Sequence, residues 1–321
     1  MAVSWQILKT MKLNRIFIIG FLLSQIVYSQ KEIEITFERK SDKSIDFYYQ
    51  KNVPGSYFIT LEFNELTNCN NSRTHQKVIK RNSGALLKLK PSNSNKGISF
   101  SYKISYVMGN PKPKLNNNII YALPFKTGKS VKIMEASNVG EKFFGSKKPI
   151  DWKSFIVYSK EPDTIYAMRK GIVVKIIDKY ENDDKLIKTY TSKRNRIIIE
   201  HKDGTYASYE GFDKNQIFVK LGQKVYPHTI LGKLEKFNKT NYRLDFNTFH
   251  YLENLLDDTK NTLKNRNHKT KYLNPKFFTD NVIKKIESKQ NYNVSFNEKI
   301  KLQEFSRREK KKYKKKPKEF E

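Results

Sequence analysis

Short segments with apolar or aromatic residues at every second position recur from about residue 32 to residue 249, broken by Gly, Pro, Asn and Ser clusters. A period of two puts those side chains on one face of an extended chain, and a half-buried strand requires that arrangement. EIEITFE, SIDFYYQ, SYFITLEFNEL, ALLKLK and ISFSYKISYVM fall between residues 31 and 110 with no amphipathic helix between them, which predicts a small antiparallel β-sandwich. The polar segment GNPKPKLNNN then reads as a linker. A second series follows: IIYALPF, TIYAMRKGIVVKIID, RIIIEHK, TYASYEGF, QIFVKLG, TILGKLEKF and YRLDFNTF. Its turns carry Gly, as in Lys202-Asp203-Gly204. The expected fold is therefore all-β, with a second β domain over 119–280.

Several stretches stand outside this pattern. Lys9, Lys12 and Arg15 precede the apolar run IFIIGFLLSQIV, which ends at Tyr28, Ser29 and Gln30. That is signal-peptide grammar over residues 1–30, with Met11 as an alternative start, and it predicts export to the periplasm or cell envelope. The run is shorter than the roughly 20 residues that span a bilayer. KYENDDKLIKTYTSKRN reads as a surface loop, LENLLDDTKNTLKNRN as a short helix, and KYLNPKFF as one more strand. Residues 281–321 read as a basic, partly disordered tail.

The formal charge of +31 suits a polyanionic partner, and the Lys-rich tail points to an anionic envelope polymer; no specific nucleic-acid motif is present. Cys69 is the single cysteine, so no intramolecular disulfide forms and packing must supply stability. Gly128-Lys129-Ser130 ends like a phosphate loop but lacks the earlier glycine and the strand-loop-helix context.

The second region resembles the M23 (lysostaphin or LytM type) zinc endopeptidases, which cut peptidoglycan. The resemblance lies in Tyr121 to Phe125, Ile165 to Val173, Asn195 to Tyr209, Val219 to Val225 and Ile230 to Gly232, in family order over roughly 130 residues. It implies a compact antiparallel β domain. A catalytic zinc needs three His or Asp ligands and an open position, and in active members of the family histidines also serve the chemistry.

The positions that the resemblance assigns to this chemistry are changed here. Tyr242-Arg243-Leu244-Asp245-Phe246 lines up with the family's Pro-His-Leu-His-Phe, so Arg243 stands at a catalytic His and Asp245 at a zinc ligand. Gly211 takes the other catalytic His. Ile156 takes the metal Asp in the ungapped alignment, whereas a shifted register would offer Asp151. No histidine lies between His75 and His201, so the early ligand is missing in any alignment.

Arg243 and Asp245 share one strand face by parity. Arg243 is expected to pair with Asp245, Glu210 or Asp151. With Trp152 and Tyr209, these residues are the expected lining of the substrate groove.

The resemblance thus implies a chain without zinc or another cofactor, a pseudo-enzyme that binds peptidoglycan or a cell-wall hydrolase. Two other readings stay open: an active zinc endopeptidase with rearranged ligands, and a polyanion-binding envelope protein acting through its tail. A site rebuilt from Asp245 and His250 belongs to the first of these.

Overall fold

The computed structural model describes residues 32–181, 191–252 and 269–320. The signal-peptide segment, the middle of the predicted surface loop and most of the predicted helix after Tyr251 lie outside the described residues. Among those described, no helix is long and apolar enough to cross a membrane.

The all-β expectation holds. Strands β1 (Ile33–Arg39), β2 (Ile45–Lys51) and β5 (Ser83–Leu89) form one sheet in the order β1-β2-β5. Strands β3 (Tyr57–Thr67), β4 (Thr74–Ile79) and β6 (Ser99–Met108) form another in the order β4-β3-β6. The inward residues of both, among them Phe47, Ile59, Leu61, Phe63 and Leu89, share one core. Burying each such side chain contributes about 1.5–3 kcal/mol.

The main sheet is built from β8 (Ser130–Glu135), β9 (Ser154–Ser159), β11 (Gly171–Ile177), β12 (Asn195–Glu200), β13 (Tyr206–Ile217), β14 (Lys224–Val225), β16 (Tyr242–Tyr251) and β20 (Gln290–Asn293). Their order is β14-β11-β12-β13-β16-β9-β8-β20. Off this path, β10 (Thr164–Tyr166) pairs β15 (Ile230–Leu234), β15 pairs β13, and β17 (Thr270–Leu273) pairs β16. The predicted turn at Lys202-Asp203-Gly204 closes the β12–β13 hairpin, where Gly204 takes φ +87°. Phe125, Ile133, Val157, Ile197, Tyr209, Phe212, Leu244 and Phe246 fill the core on the inner face.

Four details depart from the sequence reading. KYLNPKFF is two strands, because Asn274-Pro275 interrupts β17 before β18 (Lys276–Thr279), and a proline donates nothing to a ladder. β18 runs parallel to β7 (Ile120–Ala122) and antiparallel to β19 (Val282–Lys285), so the second region is not purely antiparallel.

The end of the predicted surface loop is buried: Arg194 is 4% and Asn195 0% exposed. The Asn195 amide accepts from the backbone N–H of Lys179 and Tyr180 and donates to the carbonyls of Tyr180 and Phe212, tying both feet of the insertion together.

Residues 281–320 are folded rather than a partly disordered tail. Beyond β19 and β20 come α2 (Glu298–Leu302), α3 (Arg307–Lys315) and a 3-10 turn at Pro317–Phe320; α1 (Val139–Phe144) lies earlier in the chain, between β8 and β9. Gln303 exchanges two hydrogen bonds with the Ile120 backbone. Glu304 grips Arg169 at 2.8 Å through both carboxylate oxygens, and Glu309 pairs with Lys170 at 2.6 Å. Arg169, 2% exposed, also donates to Tyr121, Asp203 and Thr205. Phe305, Tyr313 and Phe320 pack with one another, and Phe305 and Phe320 also meet Tyr226. Ser306 and Glu309 form a capping box that starts α3.

The N-terminal sandwich sits on the outer face of the main sheet. Tyr206, Val174, Ile198 and Phe249 pack there with Met108, Tyr251 and Tyr272. The Glu200 carboxylate accepts hydrogen bonds from the backbone N–H, at 2.7 Å, and the hydroxyl of Ser56.

Candidate functional site

Alternation along β16 buries Leu244 and Phe246 and turns Arg243, Asp245 and Asn247 to the outer face. The register across the sheet places Ile156, Asp245, Glu210 and Arg196 in one row over β9, β16, β13 and β12. Ile156 therefore lies directly beside Asp245. Asp151 does not reach this row: its carboxylate accepts the backbone N–H of Tyr272 at 2.6 Å. Trp152 donates Nε1–H to the Ala136 carbonyl and rests on the Tyr272 ring at 4.7 Å. Together they brace one wall of a groove.

Tyr209 departs from expectation. It faces the core, fully buried, and its hydroxyl oxygen accepts the Met168 N–H. Burial pushes its phenol far up, which suits a structural role. Its odd position on β13 gives it the parity of Ala207, opposite to Glu210.

Arg243 pairs with Asp245, as parity suggests. Its Nε donates to Oδ1 at 2.7 Å and its Nη2 to Oδ2 at 2.5 Å, a bidentate contact. A residue that sequence reasoning missed completes the arrangement. Arg194 donates from Nη1 to Asp245 Oδ1 at 2.5 Å, from Nη2 to the Arg243 carbonyl at 2.6 Å, and from Nε to Glu235 at 3.2 Å. Two guanidiniums and two carboxylates thus balance in charge. Burial works against the charge of Arg194, but Asp245 and Glu235 more than offset it and raise its pKa. The guanidinium carbons of Arg243 and Arg194 also lie 4.6 and 5.4 Å from the centre of the Phe237 ring.

Gly211 explains how Arg194 fits. Asn195 pairs with Phe212 and Arg196 with Glu210, so Gly211 is the extra residue of a β-bulge, with φ +119°. A Cβ there would lie 2.1 Å from Arg194 Nη2 and 2.2 Å from the Arg243 carbonyl oxygen. The guanidinium of Arg194 occupies the space that a side chain at 211 would need.

A zinc ion does not fit these residues. Both oxygens of Asp245 are engaged by cations, and a fixed guanidinium repels a divalent ion. Among the described residues no group of three His, Cys, Asp or Glu is placed to hold a metal. His250, five residues from Asp245 on β16, points to the opposite face, so the two cannot share a site. His228, at φ +74°, is stacked between Tyr166 and Phe296 at 4.4 and 4.5 Å.

His201 is buried, and its Nδ1 lies 2.9 Å from the Lys170 carbonyl. Burial and the nearby Arg169 charge lower its pKa to about 3. In the unfolded chain the imidazole takes up a proton below about 6.5, whereas the folded one stays neutral until about 3. Stability should therefore fall as pH drops through that window. Urea titrations at pH 7 and pH 4 should show this loss, and His201→Gln should flatten it.

The groove around the ion cluster holds about 450 Å³ and is walled by Trp152, Tyr272, Ile156, Phe143 and Tyr158, with Arg196 and Lys142 at its sides. No family model and no curated protein matches the sequence. Solved structures do. A protein of Pseudomonas aeruginosa described as an M23 peptidase is 14% identical, over 61% of this chain and 88% of that one, with a TM-score of 0.28.

The chain is similar in fold to M23 peptidases. A chain of the SpoIIQ–SpoIIIAH pore-forming complex is 20% identical over 41% of this chain and 84% of its own, with a TM-score of 0.26. Helicobacter pylori Csd3 is 9% identical over 73% and 77%, also at 0.26. At these scores the chemistry has to be read from this chain's own residues.

Proposed function

We propose that this chain is a non-catalytic, exported M23-like protein that binds at the cell wall through the groove beside β16. Peptidoglycan, or a hydrolase acting on it, is the ligand in this reading. The observation that carries it is the double guanidinium clamp on Asp245, which removes the carboxylate from metal chemistry and leaves the groove intact. Aromatic walls with Arg196 and Lys142 at the sides suit a peptide that carries carboxylates.

The test pairs metal analysis of the full chain with a peptidoglycan pull-down. Substoichiometric zinc is expected, and Trp152→Ala should lower retention about tenfold, as removal of a buried aromatic anchor does, with the fold checked by circular dichroism. Stoichiometric zinc together with released peptide fragments would instead establish the active endopeptidase. Unchanged retention by Trp152→Ala would move binding away from the groove.

A further inference from the structure

The outer face of α3 is separate from the groove. α3 docks by one side only. Glu309 reaches Lys170, and Tyr313 packs on Phe305 and Phe320. With 3.6 residues per turn, Arg307, Arg308, Lys310, Lys311, Lys314 and Lys315 fall within an arc of about 160° on the opposite side, along about 12 Å of helix. All six are exposed, and none has a carboxylate partner among the described residues. Because the helix is anchored by Glu304, Glu309 and an aromatic cluster, these charges are held in a fixed array.

We infer that this array binds a flexible, linear, base-free polyanion with phosphate-type charges. Three features select that class. The arc is too wide for a flat anionic surface to meet all six cations, whereas a bending chain can follow it. The apolar side chain of the helix, Tyr313, is turned to the body, so no apolar face is left to enter a bilayer. The same packing leaves no aromatic ring on the outer face for a nucleobase to stack on.

The probe is inorganic polyphosphate, titrated against the full chain at increasing salt. Neutralising six phosphates predicts a slope of log K against log salt of about −4. Replacing the six cations by Gln should bring that slope close to zero with a nearly unchanged unfolding midpoint, because all six are exposed and none is in an ion pair among the described residues. A charge-matched control removes Lys43, Arg73, Lys80, Arg81, Lys90 and Lys96 from the sandwich and should keep the slope. Equal losses in the two variants would show that overall charge alone is responsible and overturn the proposal. Tighter binding of single-stranded DNA of equal charge would also overturn it, as would binding to phosphatidylglycerol vesicles without binding to polyphosphate.

Discussion

Replacing Arg169 by Met is expected to destabilise the protein by about 3–5 kcal/mol, read as a lower urea midpoint at unchanged slope. Arg169 is buried and donates to Glu304 through two bonds, to Asp203 at 3.0 Å, and to Tyr121 and Thr205. Without it, the carboxylates of Asp203 and Glu304 lose the guanidinium they pair with in a poorly solvated place. The Arg169→Met, Glu304→Met double variant should recover part of the loss, since a charge left alone costs more than an absent pair. Truncation after Leu302 should resemble the single variant, for it removes Glu304 and the aromatic residues that cover Tyr226. An outward substitution on the same helix, Lys314→Gln, should change stability by less than about 0.5 kcal/mol. If truncation left the midpoint unchanged, residues 303–320 would not be part of the fold.

The second large effect lies at Gly211. Gly211→Ala should cost about 3 kcal/mol or more, because a side chain is strained at positive φ and meets the Arg194 guanidinium and the Arg243 carbonyl. Gly211→His, which writes back the residue that the resemblance assigns to this position, should be worse. The cause can be separated by a double-mutant cycle. Removing Arg194 in the Gly211→Ala background clears the clash with its guanidinium and leaves the one with the Arg243 carbonyl, so the two changes should cost less together than the sum of their separate effects. Strict additivity would mean that backbone strain and the Arg243 carbonyl account for the loss. Restoring histidines at 211 and 243 while Arg194 stays in place should not yield zinc binding.

Much of this was legible in the chain because it is local. Period-two alternation located the strands, and the Asp-Gly turn located the β12–β13 hairpin. Simple parity placed Arg243 and Asp245 on one face, where they meet.

Arg194 was not legible. It lies 51 residues from Asp245 and 41 from Glu235, at the end of a polar stretch that reads as solvent-exposed. Only the fold brings these residues together. Tyr209 was misplaced by one residue of parity, since it is the even-numbered neighbours that face the groove. The C-terminal segment was misread because its density of lysines outweighed Phe305, Tyr313 and Phe320. Ser306 and Glu309, three apart, were a helix-start signal in plain view.

Tyr272 lines the groove and also packs against the apolar cluster of Val174, Ile198, Tyr206 and Phe249 on which the N-terminal sandwich sits. One ring thus serves both the groove wall and the seam between the two β units, so a change at Tyr272 reaches both.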